Sequence, residues 1–244
     1  MTLDESILWM RTQSAFANIV RDAYLGPDLE NSARRFSASG EFSATRALIG
    51  DGCVNACVLD LGAGTGIASR AWLTAGASKV IAIEPDPSDL VGRGALQRLC
   101  AGLPVEVLPD SAERLSLADS SVDIVYARQV LHHMRDLDAA LRECSRVLRR
   151  GGVFLACREH VVDHPGQLRA FLAAHPVHQL AGGENAFSAA TYRRAIASAG
   201  LELKHEFGPW ESVINAYPAV ASDAELASYP QRALEKKLGA TGRL

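Results

Sequence analysis

No stretch of this 244-residue chain is apolar for long enough to cross a bilayer. Its opening, MTLDESILWM, has no basic segment leading into an apolar one, so no secretory leader is expected. Charge of one sign is lacking too. The net charge of -3 gives no bulk attraction to nucleic acid or to an anionic membrane, and the basic pairs Arg34–Arg35 and Arg149–Arg150 are too few to build an RNA-binding surface. The cysteines are five, an odd number, with no C-x-x-C pair. Cys53 and Cys57 have no second ligand pair nearby, which argues against a structural zinc site there. Free thiols in a reducing compartment fit this usage, and a cytoplasmic protein is expected. Internal repeats and low-complexity linkers are also missing. What remains, 48% hydrophobic and 22% charged residues, is the composition of a globular protein with room for one sizeable core.

Hydrophobic periodicity then sets an order of elements. Residues 1–50 run in helical rhythm, broken at Gly26-Pro27 and near Gly40, and predict a cap of two or three helices. From there, short apolar runs alternate with helical stretches. Strands are expected at Cys57–Leu61, Lys79–Ile83, Val105–Leu108, Val122–Tyr126 and Gly152–Cys157. Helices are expected at Ala68–Ala75, Ser88–Cys100, Leu137–Leu148 and Thr191–Ala199. This alternation predicts an α/β fold with right-handed crossovers and a mostly parallel sheet. The segment 161–190 holds His, Gly and Pro without a long periodic run and is expected to be irregular. Leu201–Phe207 and Ser212–Ala216 are candidate closing strands, and the last twenty residues form a polar tail, expected to be helical. The division expected is a helical cap over 1–50, a core domain over 51–220 and a C-terminal tail over 221–244.

The most informative stretch is Val58-Leu59-Asp60-Leu61-Gly62-Ala63-Gly64-Thr65-Gly66. An acid ends a buried strand, and three glycines follow at alternate positions. Glycine at a strand-to-helix turn permits positive φ and a close approach of backbone to ligand, and the following helix aims its N-terminus at that ligand. The spacing is G-x-G-x-G, where dinucleotide oxidoreductases have G-x-G-x-x-G. The second strand closes on Glu84, an acid placed to take both hydroxyls of a ribose, a feature shared with NAD proteins.

VLDLGAGTG and IAIEPD resemble the first and second motifs of the class I S-adenosylmethionine (SAM)-dependent methyltransferases. The resemblance is to the small-molecule branch grouped with ubiquinone-biosynthesis enzymes, and covers roughly residues 55–160. It implies a Rossmann-like, seven-stranded sheet with helices on both faces, SAM across the carboxyl ends of the strands, and S-adenosylhomocysteine as product. By the same resemblance Asp60 and the backbone of Gly62, Ala63, Gly64 and Gly66 face the methionine part. Glu84 holds the ribose, and Pro85 or Asp86 lies beside the adenine. Ser111 and Ala112 fall in a segment where the family usually reads Asp-Ala-Glu, so Ser111 stands where an acid is common, with Asp110 adjacent. The stretch DIVYARQVLHH, Asp123 to His133, is similar to the fourth strand and the loop facing the methyl group. The Asp-Pro-Pro-Tyr type tetrapeptide of amide and base-amine methylation is missing there; Ala127-Arg128-Gln129-Val130 stands in its place.

Smaller constellations complete the reading. A helix starting near Gln129 would put His132 and His133 on one broad face with it, Gln129 toward the SAM amino-acid end and the histidines toward the acceptor. Histidine titrates near neutrality and suits proton transfer. Arg158, Glu159 and His160 end the fifth strand, where open α/β sheets bind ligands. His132, His133, His160 and Glu159 are thus the candidate catalytic groups. His175, His178 and Glu184 could be read as metal ligands, but two histidines in a loop fix no common face. With Arg158 they are taken as substrate-facing, and no metal is assigned. The expected function is methyl transfer to oxygen or nitrogen of a small molecule. The alternatives are a SAM-binding module acting through a partner and, less favoured, an RNA methyltransferase. The oligomeric state is left open.

Overall fold

The computed structural model describes residues 1–229. Five strands form the sheet: β1 (Cys57–Leu61), β2 (Lys79–Ile83), β3 (Val105–Leu108), β4 (Val122–Arg128) and β5 (Leu148–Cys157). Their order is β3-β2-β1-β4-β5, and every neighbouring pair is parallel. The chain therefore winds one way from β1 to β3 and the other way from β4 to β5. The reversal lies between β1 and β4, where a crevice opens at the carboxyl ends of the strands.

The helices, in chain order, begin with α1 (Leu3–Thr12), α2 (Ala17–Asp22), α3 (Leu29–Ser37), α4 (Gly40–Ala47), α5 (Ile67–Thr74) and α6 (Arg93–Leu99). They continue with α7 (Leu137–Val147), α8 (Pro165–Ala174), α9 (Pro176–Ala181), α10 (Ala189–Ser198) and α11 (Val213–Ala216). Alternation along β1 assigns its side chains to two layers, because successive Cβ atoms leave opposite faces of a strand. Val58 joins the core built with α3, α4, α5 and α6, while Leu59 and Leu61 join the core built with α7 and α10. Asp60 shares the face of Val58 and so points toward α5.

The N-terminal region forms four helices, α1 to α4. Phe36 and Phe42 are buried in an aromatic chain that runs Phe36–Phe42–Trp72–Tyr126 with ring centroids 5.0–5.3 Å apart. They pack toward the sheet, so neither can close over a ligand.

Among the described residues the sheet has five strands where seven were expected. Leu201–Phe207 takes no strand pairing among the described residues. Its sequence LELKHEF carries four polar residues in seven, too polar for a position covered on both faces. Ser212 caps a helical turn, accepting from the Ile214 N–H, so Ser212–Ala216 becomes α11. The 161–190 segment is more regular than expected. Pro165 and Pro176 each open a helix, with His164 and His175 as N-caps, the position in which proline is pre-organised to start a helix. The helix expected over Ser88–Cys100 is shortened to α6, because Asp86 and Ser88 accept from the backbone N–H groups of Ser88, Leu90 and Val91 and hold a turn. Of the expected C-terminal tail, residues 223–229 are helical and 230–244 lie outside the described residues.

Candidate functional site

The strand ends converge on the crevice. Gly62, Gly64 and Gly66 all have positive φ, at 65°, 52° and 85°. A Cβ on Gly62 would come 2.2 Å from Val130 Cγ2, and one on Gly66 2.4 Å from Leu96 Cδ1. Those two glycines serve close packing by the chain itself. At Gly64 a Cβ would meet only the Val91 carbonyl at 3.6 Å, so this peptide is the one with space beside it.

Two carboxylates flank the loop. Asp60 is buried and accepts from the Ser69 hydroxyl of α5 at 2.6 Å. Burial pushes its carboxyl up to about 7, against the pull of the Ser69 hydrogen bond. Glu84 accepts from the Gly64 N–H at 2.7 Å and the Asp86 N–H at 2.9 Å, so the carboxylate braces the glycine loop and the turn after β2 together. Burial also raises the Glu84 carboxyl, and those two N–H donors oppose the rise. Each oxygen keeps a lone pair for a further donor such as a ribose hydroxyl. Past β3, Ser111 is exposed and Ala112 buried, and Asp110 is engaged by the Ser116 N–H at 2.6 Å. α1 reaches this region: Asp4 accepts from Ser88 at 2.5 Å, and the Met1 amino group donates to the Leu180 carbonyl of α9.

At the ends of β4 and β5, Gln129 (φ 53°) and Arg158 (φ 60°) both adopt the left-handed conformation, which turns each chain sharply at the crevice. Leu131–His133 forms one 3-10 turn. Its free N–H groups are taken by Glu159, which accepts from Val130 N, Leu131 N and His132 N at 3.0–3.1 Å and from His132 Nδ1 at 2.7 Å. Glu159 is fully used in this way. Expected as a catalytic candidate, it is placed by these bonds as a positioning residue.

Beyond it the structure gathers His132, His133, His160 and His175 around Glu184. Glu184 Oε2 lies 3.6 Å from His132 Nε2, 3.7 Å from His160 Nδ1 and 4.0 Å from His133 Nε2, and Oε1 lies 3.9 Å from His175 Nδ1. The loop is pinned in place by a parallel bridge between Val161 and Phe187 and by His133 Nδ1 against the Gly183 carbonyl. The His132 and His160 rings stack at 4.1 Å. Burial opposes charge on His132, but its hydrogen bond to Glu159 and the nearby Glu184 carboxylate prevail and push it up to about 9. Burial, then the neighbouring His132, pull His160 down to about 4. His178 stands apart from the carboxylate oxygens and its Nδ1 accepts from the Glu184 N–H.

Arg158, expected to face substrate, is instead bound by Glu41 Oε2 at 2.9 Å and by the Tyr217 carbonyl. Glu41 of α4 is fully buried and also holds Arg128 at 2.5 Å and 3.1 Å. Sequence reasoning missed Glu41, Ser69 and Ser88. Their partners lie 87, 9 and 84 residues away, and no local pattern marks the pairings.

Comparison with known proteins agrees with this geometry. Residues 59–156 match the family described as a methyltransferase domain. The chain is 28% identical over 156 residues to a ubiquinone biosynthesis O-methyltransferase of Rhizobium etli (strain CIAT 652), covering 62% of each chain. It is 38% identical over 98 residues to a ubiquinone/menaquinone biosynthesis C-methyltransferase of Acidiphilium cryptum, covering 40% of this chain and 39% of that one. The chain thus aligns with about three fifths of the length of the first relative. Among solved structures, a SAM-dependent methyltransferase from Mesorhizobium loti superposes with a TM-score of 0.59 at 20% identity, over 82% of this chain and 94% of that one. At that identity the likeness speaks for the fold.

Proposed function

We propose that this chain, a class I SAM-dependent methyltransferase, moves the methyl group of SAM to an oxygen or nitrogen of a small molecule. The observation that carries the reading is the order of groups along the strand ends. A buried acid, a glycine loop with one open peptide and a braced carboxylate lie over β1 and β2; a polar histidine cluster lies past β4 and β5.

SAM supplies an activated methyl on a sulfonium, so the protein has little covalent work to do and must chiefly align the acceptor and exclude water. Asp60 and the Gly62–Gly66 backbone would hold the amino-acid end, Glu84 the ribose, and Pro85, Ser111 and Ala112 the adenine side, with Gln129 at the turn between cofactor and acceptor. Where an acceptor hydroxyl must lose its proton, the His132–His160–Glu184 cluster is the place that can receive it. His160 is neutral at pH 7, with Nδ1 unpartnered among the described residues. The relatives named above methylate oxygen and carbon, so likeness alone leaves the acceptor atom to experiment.

Calorimetry with SAM, S-adenosylhomocysteine and NAD tests the reading: the first two bind and NAD does not, and NAD binding without SAM binding would overturn it. On the identified substrate, His160→Ala should lower kcat on the order of a hundredfold while SAM affinity stays within about twofold. Full turnover in that variant would move the acceptor site elsewhere.

A further inference from the structure

We propose that His132 Nε2, His160 Nδ1 and Glu184 form a binding site for one zinc-like divalent ion beside the acceptor pocket. The ligand atoms of these three residues lie within 4.8 Å of one another.

The argument rests on which atoms face each other. His132 Nδ1 is 2.7 Å from Glu159, so that nitrogen carries a proton and Nε2 is the one that can present a lone pair once an ion displaces its proton. His133 Nδ1 faces the Gly183 carbonyl, which requires a donor, so its Nε2 is also a lone pair. His175 Nδ1 accepts from the His178 N–H. His175 Nδ1 is thus taken, and the nitrogens that face Glu184 Oε2 are His132 Nε2, His133 Nε2 and His160 Nδ1. Facing lone pairs repel unless a cation stands between them. One proton would join a single pair and draw it to the 2.7–2.9 Å of a charge-assisted hydrogen bond. Here Glu184 Oε2 stands nearly equidistant from His132 and His160, at 3.6 Å and 3.7 Å, and bonds to neither.

Those separations match an ion at the centre. With metal–ligand bonds of about 2.1 Å, the edge of a tetrahedron is roughly 3.4 Å. His160 Nδ1 and Glu184 Oε2 are also buried and without a hydrogen-bond partner among the described residues. Desolvated polar atoms left unpaired are costly, and shared coordination removes the cost. The surroundings are those of a metal-ligating histidine: Glu159 grips the far nitrogen of His132, fixing its tautomer and ring plane. Two imidazoles, both neutral once the ion displaces the His132 proton, and a carboxylate with an open fourth position suit zinc, and this is the pattern of sites that take substrate as the last ligand. The ion site itself does not depend on the methyl-transfer reading. Its use does: a hydroxyl coordinated at the fourth position would be acidified, and its proton would pass to bulk water before attack, since the ion would occupy His160 Nδ1.

The proposed site departs from the expectation that no metal is held. That expectation looked at His175 and His178, whose spacing fixes no shared face. Two of the ligands come from the ends of β4 and β5, and only Glu184 comes from the loop.

The test is metal binding to the full chain after chelation and dialysis. Zinc should bind at one ion per chain by calorimetry, and cobalt(II) should give the visible absorption of a four-coordinate ion. Glu184→Gln and His160→Gln should each weaken zinc binding more than about 100-fold, and Glu159→Gln by about 10- to 100-fold. Asp163→Asn, a nearby carboxylate outside the cluster, should leave it unchanged. Circular dichroism and S-adenosylhomocysteine affinity show that each variant is folded. Should one ligand variant fail to fold, the other decides. No saturable binding of either ion, or equal binding in Glu184→Gln and His160→Gln, overturns the site. S-adenosylhomocysteine binding without zinc binding sinks this inference alone; zinc binding without S-adenosylhomocysteine binding sinks the methyltransferase reading and leaves the ion site standing.

Discussion

Two carboxylates at the strand ends have opposite tasks. Glu84 is braced by two backbone N–H groups and has lone pairs to spare. Glu84→Ala should weaken S-adenosylhomocysteine binding by about 2 kcal/mol or more, since charge-assisted hydrogen bonds contribute roughly 1.5–3 kcal/mol each. An unchanged dissociation constant by calorimetry would place the ribose elsewhere. Asp60 has the other problem: burial raises its folded pKa to about 7, far above that of the unfolded chain. Between those values the folded protein holds a proton that the unfolded chain has released. Stability therefore falls as pH rises through that window, at up to about 1.4 kcal/mol per pH unit. Asp60→Asn keeps the shape and removes the charge. Its urea-unfolding free energy should lack this decline, so the gap between variant and wild type grows from pH 4 to pH 7 in the variant's favour. Parallel pH profiles would show that Asp60 is not the group responsible.

Among the elements, the glycine loop and α1 are the parts that a ligand must reach. The loop's glycines are not equivalent. Alanine at Gly62 meets Val130 at 2.2 Å and also needs a left-handed backbone, whereas alanine at Gly64 pays only the backbone cost of roughly 1–2 kcal/mol. Thermal or urea unfolding should therefore show Gly62→Ala as the more damaging change, and Gly64→Ala as the one that costs more ligand affinity than stability. The start of α1 is tied to Ser88 by Asp4 and, through the preceding Met1, to Leu180 of α9, against which α1 packs. Of the N-terminal helices it is this one that can act as a lid, since Phe36 and Phe42 of α3 and α4 are committed to the sheet face. Hydrogen exchange should show residues 3–12 and 86–92 slowing when S-adenosylhomocysteine binds. Equal protection in both states counts against a lid.

At the scale of the whole molecule, one buried group joins the N-terminal helices to the sheet. Glu41 is fully enclosed and holds Arg128 at the end of β4 and Arg158 just past β5. Removing its charge leaves two largely buried guanidinium groups without their partner. Breaking a buried pair from one side typically costs about 3–5 kcal/mol, so Glu41→Gln should lose about that much in urea unfolding. The loss should appear in one cooperative transition seen equally by Trp fluorescence and circular dichroism, because the cap and the sheet share a core through Phe42, Trp72 and Tyr126. An early separate transition would show that the cap folds apart from the sheet.

The sequence by itself determined what is written within a few residues: the start of β1 to β4, the glycine turn after Asp60 and the acid closing β2. Apolar period and glycine position are local properties, and they reach the backbone directly. It also led to the expectation that His132 and His160 lie near the acceptor, since strand ends collect at one edge of a parallel sheet, and that the loop carrying His175 and Glu184 faces the same place. Only the tertiary structure decided what each polar group does. In the sequence Glu159 was a catalytic candidate and Arg158 a substrate-facing one, both beside His160, yet the first caps the Leu131–His133 turn and the second closes on Glu41, 117 residues away. The sheet edge was decided there as well, where LELKHEF proved too polar to pair beside β5. The physical reason is the same in each case: a charged side chain chooses its partner by where loops of many residues return it, and no periodicity encodes that return.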